Sequence, residues 1–223
     1  MTDLESDPLN RDHIGANLLE YTRKAFRLLP PLDKPRILDI GCGSGRATLE
    51  IARLSGGEVV ALDIDRQALE RLDRQAARAG LSGQVTTVRR SMKSINFPSE
   101  SFDIIWAEGA ISFIGFKRGL KKWRRLLVPD GYLVVHDALS GLQDKIDLVA
   151  RCGYTLLDHF ELPTDIWWEK YYTPLKEQLE RLRKVELPSR QIKTAIKSAE
   201  REIKNFDLTN DQYASVFLIM QKA

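Results

Sequence analysis

Residues 37–45 read Ile-Leu-Asp-Ile-Gly-Cys-Gly-Ser-Gly, an apolar run that meets an acid and then three glycines at alternate positions. The helix-like stretch 46–55 follows directly. This order predicts a buried strand that turns sharply into a helix, through a turn with few side chains. Glycine permits a positive φ and lets a ligand approach the backbone. The sequence therefore predicts a small polar ligand at this turn.

The spacing of the glycines distinguishes between kinds of nucleotide site. A dinucleotide fingerprint reads Gly-x-Gly-x-x-Gly and binds pyrophosphate at the helix N-terminus, whereas here the third glycine, Gly45, comes one residue early. Asp39 would repel a pyrophosphate but suits a cationic amino group. A Walker-type phosphate loop is excluded because no Gly-Lys-Ser/Thr follows. The pattern favours a nucleoside that carries an amino-acid tail.

A second acid ends the next predicted strand. Residues 58–65 read Glu-Val-Val-Ala-Leu-Asp-Ile-Asp, and Asp63 follows Gly45 by eighteen residues. In a βαβ unit the end of the second strand lies beside the glycine turn, where a carboxylate can bind both ribose hydroxyls. Asp63 is therefore a candidate ribose ligand.

Together with two further segments, these motifs resemble the class I S-adenosylmethionine-dependent methyltransferases. The further segments are 101–106 (Ser-Phe-Asp-Ile-Ile-Trp) and 126–133 (Leu-Leu-Val-Pro-Asp-Gly-Tyr-Leu), and all four motifs follow the family's order within residues 35–140. The resemblance implies S-adenosylmethionine as the cofactor. The stretch 106–123 is most similar to the small-molecule branch of the ubiquinone and menaquinone-biosynthesis type. Many members of that branch have no assigned acceptor, so the resemblance does not extend to a substrate.

The resemblance also implies which residues bind the cofactor. They are Asp39, Gly41, Cys42, Gly43, Gly45, Asp63, Ile64, Ser91, Met92 and Glu108. Asp39 would act near the amino group, directly or through water, Asp63 would bind the ribose, and Ile64 would lie against the adenine. Many relatives carry an acid where this chain has Ser91. The adenine contact would then come from the Ser91 hydroxyl or from the backbone of Met92.

Candidate catalytic residues are fewer, because methyl transfer from a sulfonium mainly requires alignment and exclusion of water. A base is needed only when the acceptor arrives protonated. The candidates are Glu108 and His136 at predicted strand ends, which face the ligand crevice in such sheets, and Tyr21 in the N-terminal segment. His13 and Asp137 are weaker candidates. For each of them, packing or bonding to local backbone is the alternative interpretation.

Alternation of strands and helices predicts an α/β, Rossmann-like fold with a seven-stranded, mostly parallel sheet and helices on both faces. The expected strands are 36–40, 58–63, 85–89, 102–107, 132–136, 154–162 and 213–221. The expected core helices are 46–55, 66–79, 117–128 and 143–152, with a proline-ended helix before residue 30 and a turn at 128–131. The resemblance implies that the last strand is antiparallel and lies between the fifth and sixth.

A single domain is expected, with an N-terminal helical segment (1–34), a cofactor-binding core (35–163), a helical cap (164–205) and the last strand (206–223). The cap is longer than a plain connection needs, and we interpret it as a lid over the ligand end of the sheet. Its aromatic residues pair at i and i+4: Trp167, Trp168, Tyr171 and Tyr172. They either form a wall of an acceptor pocket or pack as core.

Composition limits the other kinds of protein that this chain can be. The net charge is only +3, and hydrophobic (43%) and charged (29%) contents are ordinary for a globular protein. Residues 1–8 are acidic and lack signal-peptide features, and no apolar run approaches the ~20 residues needed to span a bilayer. Cys42 and Cys152 form no disulfide framework, and the three histidines do not have metal-ligand spacing. We expect a cytoplasmic protein without a metal, which acts on a small molecule and not on nucleic acid.

Two alternatives stay open. Methylation of protein or RNA is one, although the chain has no Asn/Asp-Pro-Pro-Tyr/Phe segment and no Pro-Cys nucleophile. The other is a module that binds S-adenosylmethionine without catalysis, since fold does not fix function.

Overall fold

The computed structural model describes residues 7–184, 189–206 and 213–223. Parts of three expected segments lie outside these residues: the start of the N-terminal segment (1–6), the middle of the cap (185–188) and the approach to the last strand (207–212). The chain divides into a sheet unit, residues 19–161 and 215–223, and a helical unit, residues 7–18 and the described part of 162–214. The two units are described separately.

Seven strands form one sheet. They are β1 (Arg36–Ile40), β2 (Glu58–Asp63), β3 (Val85–Arg89), β4 (Phe102–Glu108), β5 (Leu127–Ala138), β6 (Tyr154–Leu162) and β7 (Ser215–Lys222). Their order is β3-β2-β1-β4-β5-β7-β6. Pairing is parallel from β3 to β5 and antiparallel between β5 and β7. The predicted fold class is confirmed, including the position of the last strand.

Nine α-helices are seen in the described residues. They are α1 (Arg11–Ala16), α2 (Leu19–Arg27), α3 (Arg46–Ser55), α4 (Arg66–Arg78), α5 (Phe116–Trp123), α6 (Leu142–Arg151), α7 (Thr164–Trp167), α8 (Thr173–Arg183) and α9 (Arg190–Asn205). A π-helical turn, Trp168–Tyr172, joins α7 to α8. Short 3₁₀ turns lie at Met92–Ser94, Ile111–Phe113 and Arg124–Leu126. None of these helices is both long and apolar enough to cross a membrane.

Burial explains why the central strands are apolar runs and do not alternate. In β1, Ile37, Leu38 and Ile40 are fully buried, and β2 is buried from Val59 to Leu62. A parallel strand covered by helices on both faces needs apolar side chains in both directions. One large cluster fills a face of the sheet with residues such as Leu38, Ile105 and Val135. The core therefore fixes the positions at which β1, β2 and β4 end.

The entry into β5 differs from the prediction. The helix expected over 117–128 ends at Trp123, and the turn expected at 128–131 lies within β5, which begins at Leu127 and not at 132. The pairing register with β4 jumps at this point, and Asp130 has a φ of 59°. The segment is thus a bulge in a paired strand. Pro129 lacks an N–H, so a turn was the natural expectation.

In the helical unit, aliphatic and aromatic side chains form the core together. Trp168 stacks on Phe206 with ring centroids 5.4 Å apart, and the Tyr172 centroid lies 4.1 Å from the same ring. Trp167 meets Tyr171 edge-on at 6.1 Å, which is one of the two predicted i and i+4 pairs. Helix α1 joins this core through Ile14. The four aromatic residues of the cap therefore pack within their own unit.

Candidate active site

The glycine turn joins β1 to α3 and is anchored to the end of β2. Both Gly41 N–H (2.7 Å) and Cys42 N–H (3.1 Å) donate to the Leu62 carbonyl. The φ angles of Gly41, Gly43 and Gly45 are 75°, 54° and 85°, in the region that side chains rarely adopt. The turn therefore has the conformation for which the three glycines were expected.

The three glycines differ in what surrounds them. A Cβ on Gly41 would lie 2.6 Å from the Ala110 Cβ, and one on Gly45 would lie 2.2 Å from Leu72 Cδ1. A Cβ on Gly43 would meet nothing within 4 Å. Gly41 and Gly45 are thus required by packing, whereas Gly43 leaves its side of the turn open. The open side at Gly43 is where a ligand can approach the backbone.

Asp63 links this turn to the start of α4. Its Oδ2 accepts a hydrogen bond from Gly43 N–H and its Oδ1 one from Asp65 N–H, both at 2.9 Å. Each carboxylate oxygen can accept a second bond, so Asp63 can still receive hydroxyl donors. The next residue, Ile64, is 65% exposed although it is apolar. A partly exposed acid and an exposed apolar side chain therefore stand side by side at the end of β2.

Asp39 is buried behind the turn, with 2% of its surface exposed. Its Oδ2 accepts a hydrogen bond of 2.6 Å from the Thr48 hydroxyl in the first turn of α3. Burial raises the pKa of Asp39 to about 7, Thr48 opposes the rise, and the charges of Glu108 and Asp63 add to it. Thr48 was not predicted from the sequence. Its position in the first helical turn, facing back to the strand, was the available signal.

Glu108 is the last residue of β4 and lies at the same end of the parallel strands as Asp39 and Asp63. Its Oε1 accepts hydrogen bonds from the Trp106 indole N–H (2.8 Å) and from the Thr22 hydroxyl (2.9 Å). Burial raises the pKa of Glu108, and the two hydrogen bonds and the nearby Arg46 oppose that rise. Tyr21 precedes Thr22 in α2, so α2 carries a predicted candidate beside a residue that contacts Glu108. Thr22 was not identified from the sequence.

Three acids, Asp39, Asp63 and Glu108, therefore gather at the carboxyl ends of β1, β2 and β4. The charges of Glu108 and Asp63 both contribute to the raised pKa of Asp39. A concentration of negative charge attracts a cationic ligand and repels a phosphate. This electrostatic preference agrees with the one inferred from Asp39 alone.

His136 lies beside Glu108, its partner in the register between β4 and β5. Its Nε2 is 2.8 Å from the Ser215 hydroxyl, and its ring stacks on Phe217 with centroids 4.4 Å apart. Burial lowers the pKa of His136 to about 4, and the charge of Asp137 opposes the shift. The imidazole is therefore neutral at pH 7. Ser215, on β7, is the third partner that was not predicted from the sequence, after Thr48 and Thr22.

The weaker candidates have other surroundings. Asp137 pairs with Lys145 at 2.8 Å and so has a local partner. His13 is an exposed residue of α1, in the helical unit. Among the described residues, no three His, Cys, Asp or Glu side chains are grouped so as to hold a metal ion.

The remaining predicted cofactor residues lie near the turn or stabilise a neighbouring loop. Ser91 Oγ accepts a hydrogen bond from Lys93 N–H (3.2 Å) and caps the turn Met92–Ser94. Met92 Cε would be 3.5 Å from a Cβ on Gly41, so Met92 adjoins the glycine turn. Burial raises the pKa of the Cys42 thiol, which stays protonated at neutral pH. Cys42 therefore provides a small, uncharged side chain.

Comparison with known proteins identifies the same region. Residues 37–131 match the family described as "Methyltransferase domain". The chain is 32% identical over 116 residues to a sterol 24-C-methyltransferase of Gibberella zeae, covering 52% of this chain and 30% of that protein. It is 26% identical over 138 residues to the 27-O-demethylrifamycin SV methyltransferase of Amycolatopsis mediterranei, covering 59% of this chain and 51% of that protein. The matches thus span about half or less of these relatives.

The fold is also found among solved structures. The crystal structure of the [4+2]-cyclase SpnF superposes with a TM-score of 0.75 at 17% identity, covering 91% of this chain and 80% of that one. At this identity the similarity concerns the fold alone.

Proposed function

We propose that this chain, whose residues 37–131 match the family described as "Methyltransferase domain", is a class I S-adenosylmethionine-dependent methyltransferase that transfers the methyl group to a small-molecule acceptor. Two of its relatives are named for small molecules, a sterol and a rifamycin. The acceptor of this chain does not follow from its fold and is identified by the screen described below.

The observation that carries the proposal is the open side of Gly43 next to three acids. Gly43 lets a ligand reach the backbone, and Asp63 remains able to accept ribose hydroxyls while it binds the turn. S-adenosylmethionine has two cationic groups, an ammonium and a sulfonium, and both are stabilised near carboxylates. Since Asp39 is buried and bonded to Thr48, its route to the ammonium is through water.

The chemistry is an in-line displacement. A lone pair of the acceptor attacks the methyl carbon, the carbon–sulfur bond breaks, and its electron pair stays on sulfur in S-adenosylhomocysteine. Alignment and exclusion of water contribute most of the acceleration. An acceptor that arrives protonated must lose its proton to a base. Glu108 and His136 are the candidates for this base, with Tyr21 as a further hydroxyl that can relay or position the proton.

The cap remains part of the proposal on sequence grounds. A long helical insertion, residues 164–205, suits a lid that excludes water during transfer. Hydrogen exchange tests this directly. Slower exchange in 164–184 and 189–205 with S-adenosylhomocysteine bound is expected of a lid. Equal protection with and without the ligand would show a static element.

A second candidate is a protein that binds S-adenosylmethionine and has another activity or none. It stays open because fold does not fix function, and a [4+2]-cyclase has the same fold. Methylation of protein or RNA is a third possibility within the same enzyme class, which the acceptor screen below also covers.

The test has two steps. In the first, thermal shift compares S-adenosylmethionine, S-adenosylhomocysteine and a nicotinamide dinucleotide. A ligand of the folded state at 100 times its dissociation constant stabilises by ~2.7 kcal/mol. We expect this for the first two ligands, and stabilisation by the dinucleotide alone would overturn the assignment.

In the second step, S-adenosylmethionine labelled at the methyl group is incubated with phenols, thiols, amines, quinone precursors and sterols, and with bulk protein and RNA. Label in one small-molecule class, with an equal amount of S-adenosylhomocysteine, is the expected result. Binding of the cofactor without transfer to any acceptor would favour the second candidate. Label in protein or RNA alone would favour the third.

A cytoplasmic location is proposed with this function. Cys42 and Cys152 are both free thiols, as is usual in reducing compartments. Fractionation of cells that express the full-length protein tests it.

A further inference from the structure

A strongly basic stretch of the sheet unit has no role in the site described above. Between Glu108 and Asp130 the sequence contains no acid but six cations: Lys117, Arg118, Lys121, Lys122, Arg124 and Arg125. This local excess of six contrasts with a net charge of +3 for the whole chain. Like charges this close repel one another and destabilise the folded state unless they are hydrated or bind an anion.

Part of this stretch encloses a small depression. A cavity of about 200 Å³ is lined by Lys93, Lys121, Lys122 and Arg125, with Trp123 beside them. Lys122 donates to the carbonyl of Lys93 (2.9 Å), and Arg125 donates to the carbonyls of Phe97 and Ile95 (2.8 and 2.9 Å). These bonds hold the loop against α5 but leave the positive charges unneutralised. In the described part of the chain, no carboxylate pairs with any of the four cations.

An independent observation concerns Trp123. Its side chain is 1% exposed, and its indole N–H is buried without an acceptor among the described residues. Buried donors are nearly always hydrogen-bonded, because an unpaired one costs free energy. Trp123 lines the same cavity as the four cations. A donor that lacks an acceptor and four cations that lack a counter-charge therefore occur together.

We propose that this cavity binds a small, multiply charged phosphate-type anion, such as inorganic pyrophosphate or a phosphate head group. Four cations exceed what a single carboxylate would neutralise, and lysine and arginine are the usual ligands of phosphoryl oxygens. The volume is below the roughly 300–1,000 Å³ of pockets that bind drug-sized molecules. The ligand is therefore a phosphoryl group alone or the exposed end of a larger molecule. The site does not depend on methyl transfer and can be tested without an acceptor.

Calorimetry with pyrophosphate at constant ionic strength is the first test. The double variant Lys93→Ala/Lys121→Ala removes two exposed cations that line the cavity. Lys117→Ala/Arg118→Ala is the matched control, because it removes the same charge from exposed positions on α5 outside the cavity. We expect the dissociation constant to rise about tenfold or more in the first and less than about threefold in the control. Absence of binding to the unmodified protein, or equal losses in both variants, would overturn the proposal.

Trp123→Phe provides the second test, since it removes the N–H and keeps most of the ring. In the proposed site the indole N–H donates to the bound anion, and loss of one bond to a charged acceptor predicts about tenfold weaker binding or more. Unchanged affinity in a folded variant would overturn the assigned site. If Trp123→Phe does not fold, the comparison of Lys93→Ala/Lys121→Ala with Lys117→Ala/Arg118→Ala still tests the proposal.

Vesicles of phosphatidylcholine with phosphatidic acid, whose head group is a phosphomonoester, separate the two sources of a phosphoryl group. Binding of pyrophosphate alone supports a free anion. Binding of both, each weakened by Lys93→Ala/Lys121→Ala, supports a head group. Binding of vesicles without pyrophosphate would overturn the proposal in favour of a general basic surface.

Discussion

The part of the candidate site around Asp39 and Asp63, which we propose as the cofactor side, is built differently from the part around Glu108 and His136, which we propose as the acceptor side. On the cofactor side, Asp39 bonds to Thr48 nine residues away and Asp63 bonds to Gly43 twenty residues away. On the acceptor side, Thr22 reaches Glu108 across 86 residues and His136 reaches Ser215 across 79. A βαβ unit encodes its ligand turn within one short stretch. The acceptor side exists only after distant elements have packed.

Substitution of Gly45 should have the largest effect on stability, because it disrupts the packing of the glycine turn on the cofactor side. An alanine there meets Leu72 at 2.2 Å and also adopts a φ of 85°. We expect Gly45→Ala to lower the free energy of unfolding by about 3 kcal/mol or more, from overpacking and strain combined. Denaturant unfolding followed by circular dichroism measures this.

Gly56→Ala and Gly43→Ala are the matched controls. Both positions have a positive φ and nothing within 4 Å of a new Cβ, so each should cost only about 1 kcal/mol of strain. Gly43→Ala should also weaken S-adenosylmethionine binding, whereas Gly56→Ala should not. Equal stability of all three variants would show that packing at Gly45 is unimportant.

Asp63→Ala should have the next largest effect, on affinity. It removes the proposed ribose ligand and the acceptor of Gly43 N–H. Loss of a charge-assisted bond of roughly 1.5–3 kcal/mol predicts about ten- to hundredfold weaker binding of S-adenosylmethionine. Calorimetry measures it, with Asp65→Ala as the control because Asp65 caps α4. Asp65→Ala should lower the free energy of unfolding by about 1 kcal/mol and leave the affinity for S-adenosylmethionine unchanged. Weaker binding in Asp65→Ala with unchanged affinity in Asp63→Ala would show that Asp65, and not Asp63, is the ribose ligand.

These differences explain which parts of the molecule could be predicted from the sequence. The bounds of β1 and β2 were exact, because buried parallel strands are apolar runs, which end here at a glycine and at an acid. The bounds of β3 were also exact, although this strand is only partly buried. The length of β5 was underestimated, because a bulge at Asp130 keeps a segment paired that contains a proline. Bulges depend on the neighbouring strand and leave little trace in the strand's own sequence.

The same distinction applies to the site residues. Trp106 and Glu108 were foreseeable partners, since residues two apart in a strand share a face. Thr22 and Ser215 were not, because a single hydroxyl gives no pattern and its partner lies in another element. The two sides of the site therefore differ in how far their sequence reveals them.

Asp39 on the cofactor side and His136 on the acceptor side should respond oppositely to pH, whereas Glu108, whose pKa is also raised, should follow the trend of Asp39. The pKa of Asp39 rises from 3.8 to about 7 on folding, so the folded protein keeps a proton that the unfolded chain loses, and stability falls as pH increases from about 4 to 7. The pKa of His136 falls from 6.5 to about 4, so the unfolded chain binds the extra proton, and stability rises over about pH 4 to 6.5. Each contribution is at most about 1.4 kcal/mol per pH unit. In the unmodified protein they partly cancel.

Single variants separate the two contributions. Relative to the unmodified protein, Asp39→Asn should gain stability with increasing pH over this range, and His136→Gln should lose it. Unfolding free energies at pH 4.5, 5.5 and 6.5 provide the comparison. Parallel curves for all three proteins would mean that neither group has a different pKa in the folded state.

The smallest effect is expected for Ser215→Ala, which separates the hydrogen bond of His136 from its burial. Loss of the bond to Nε2 should cost about 1 kcal/mol of stability. The pKa of His136 should nevertheless stay near 4, because burial is the cause of its low value and Ser215 is not. Titration of the imidazole by NMR measures this, and Asp137→Asn is the control, expected to lower the pKa further by removing the one charge that raises it. A return of the pKa towards 6.5 in Ser215→Ala would show that β7 holds His136 neutral through this bond. The neutral state of His136 would then depend on a single long-range contact. If the pKa stays near 4 in Ser215→Ala, burial of the imidazole within the sheet is the cause of its neutral state.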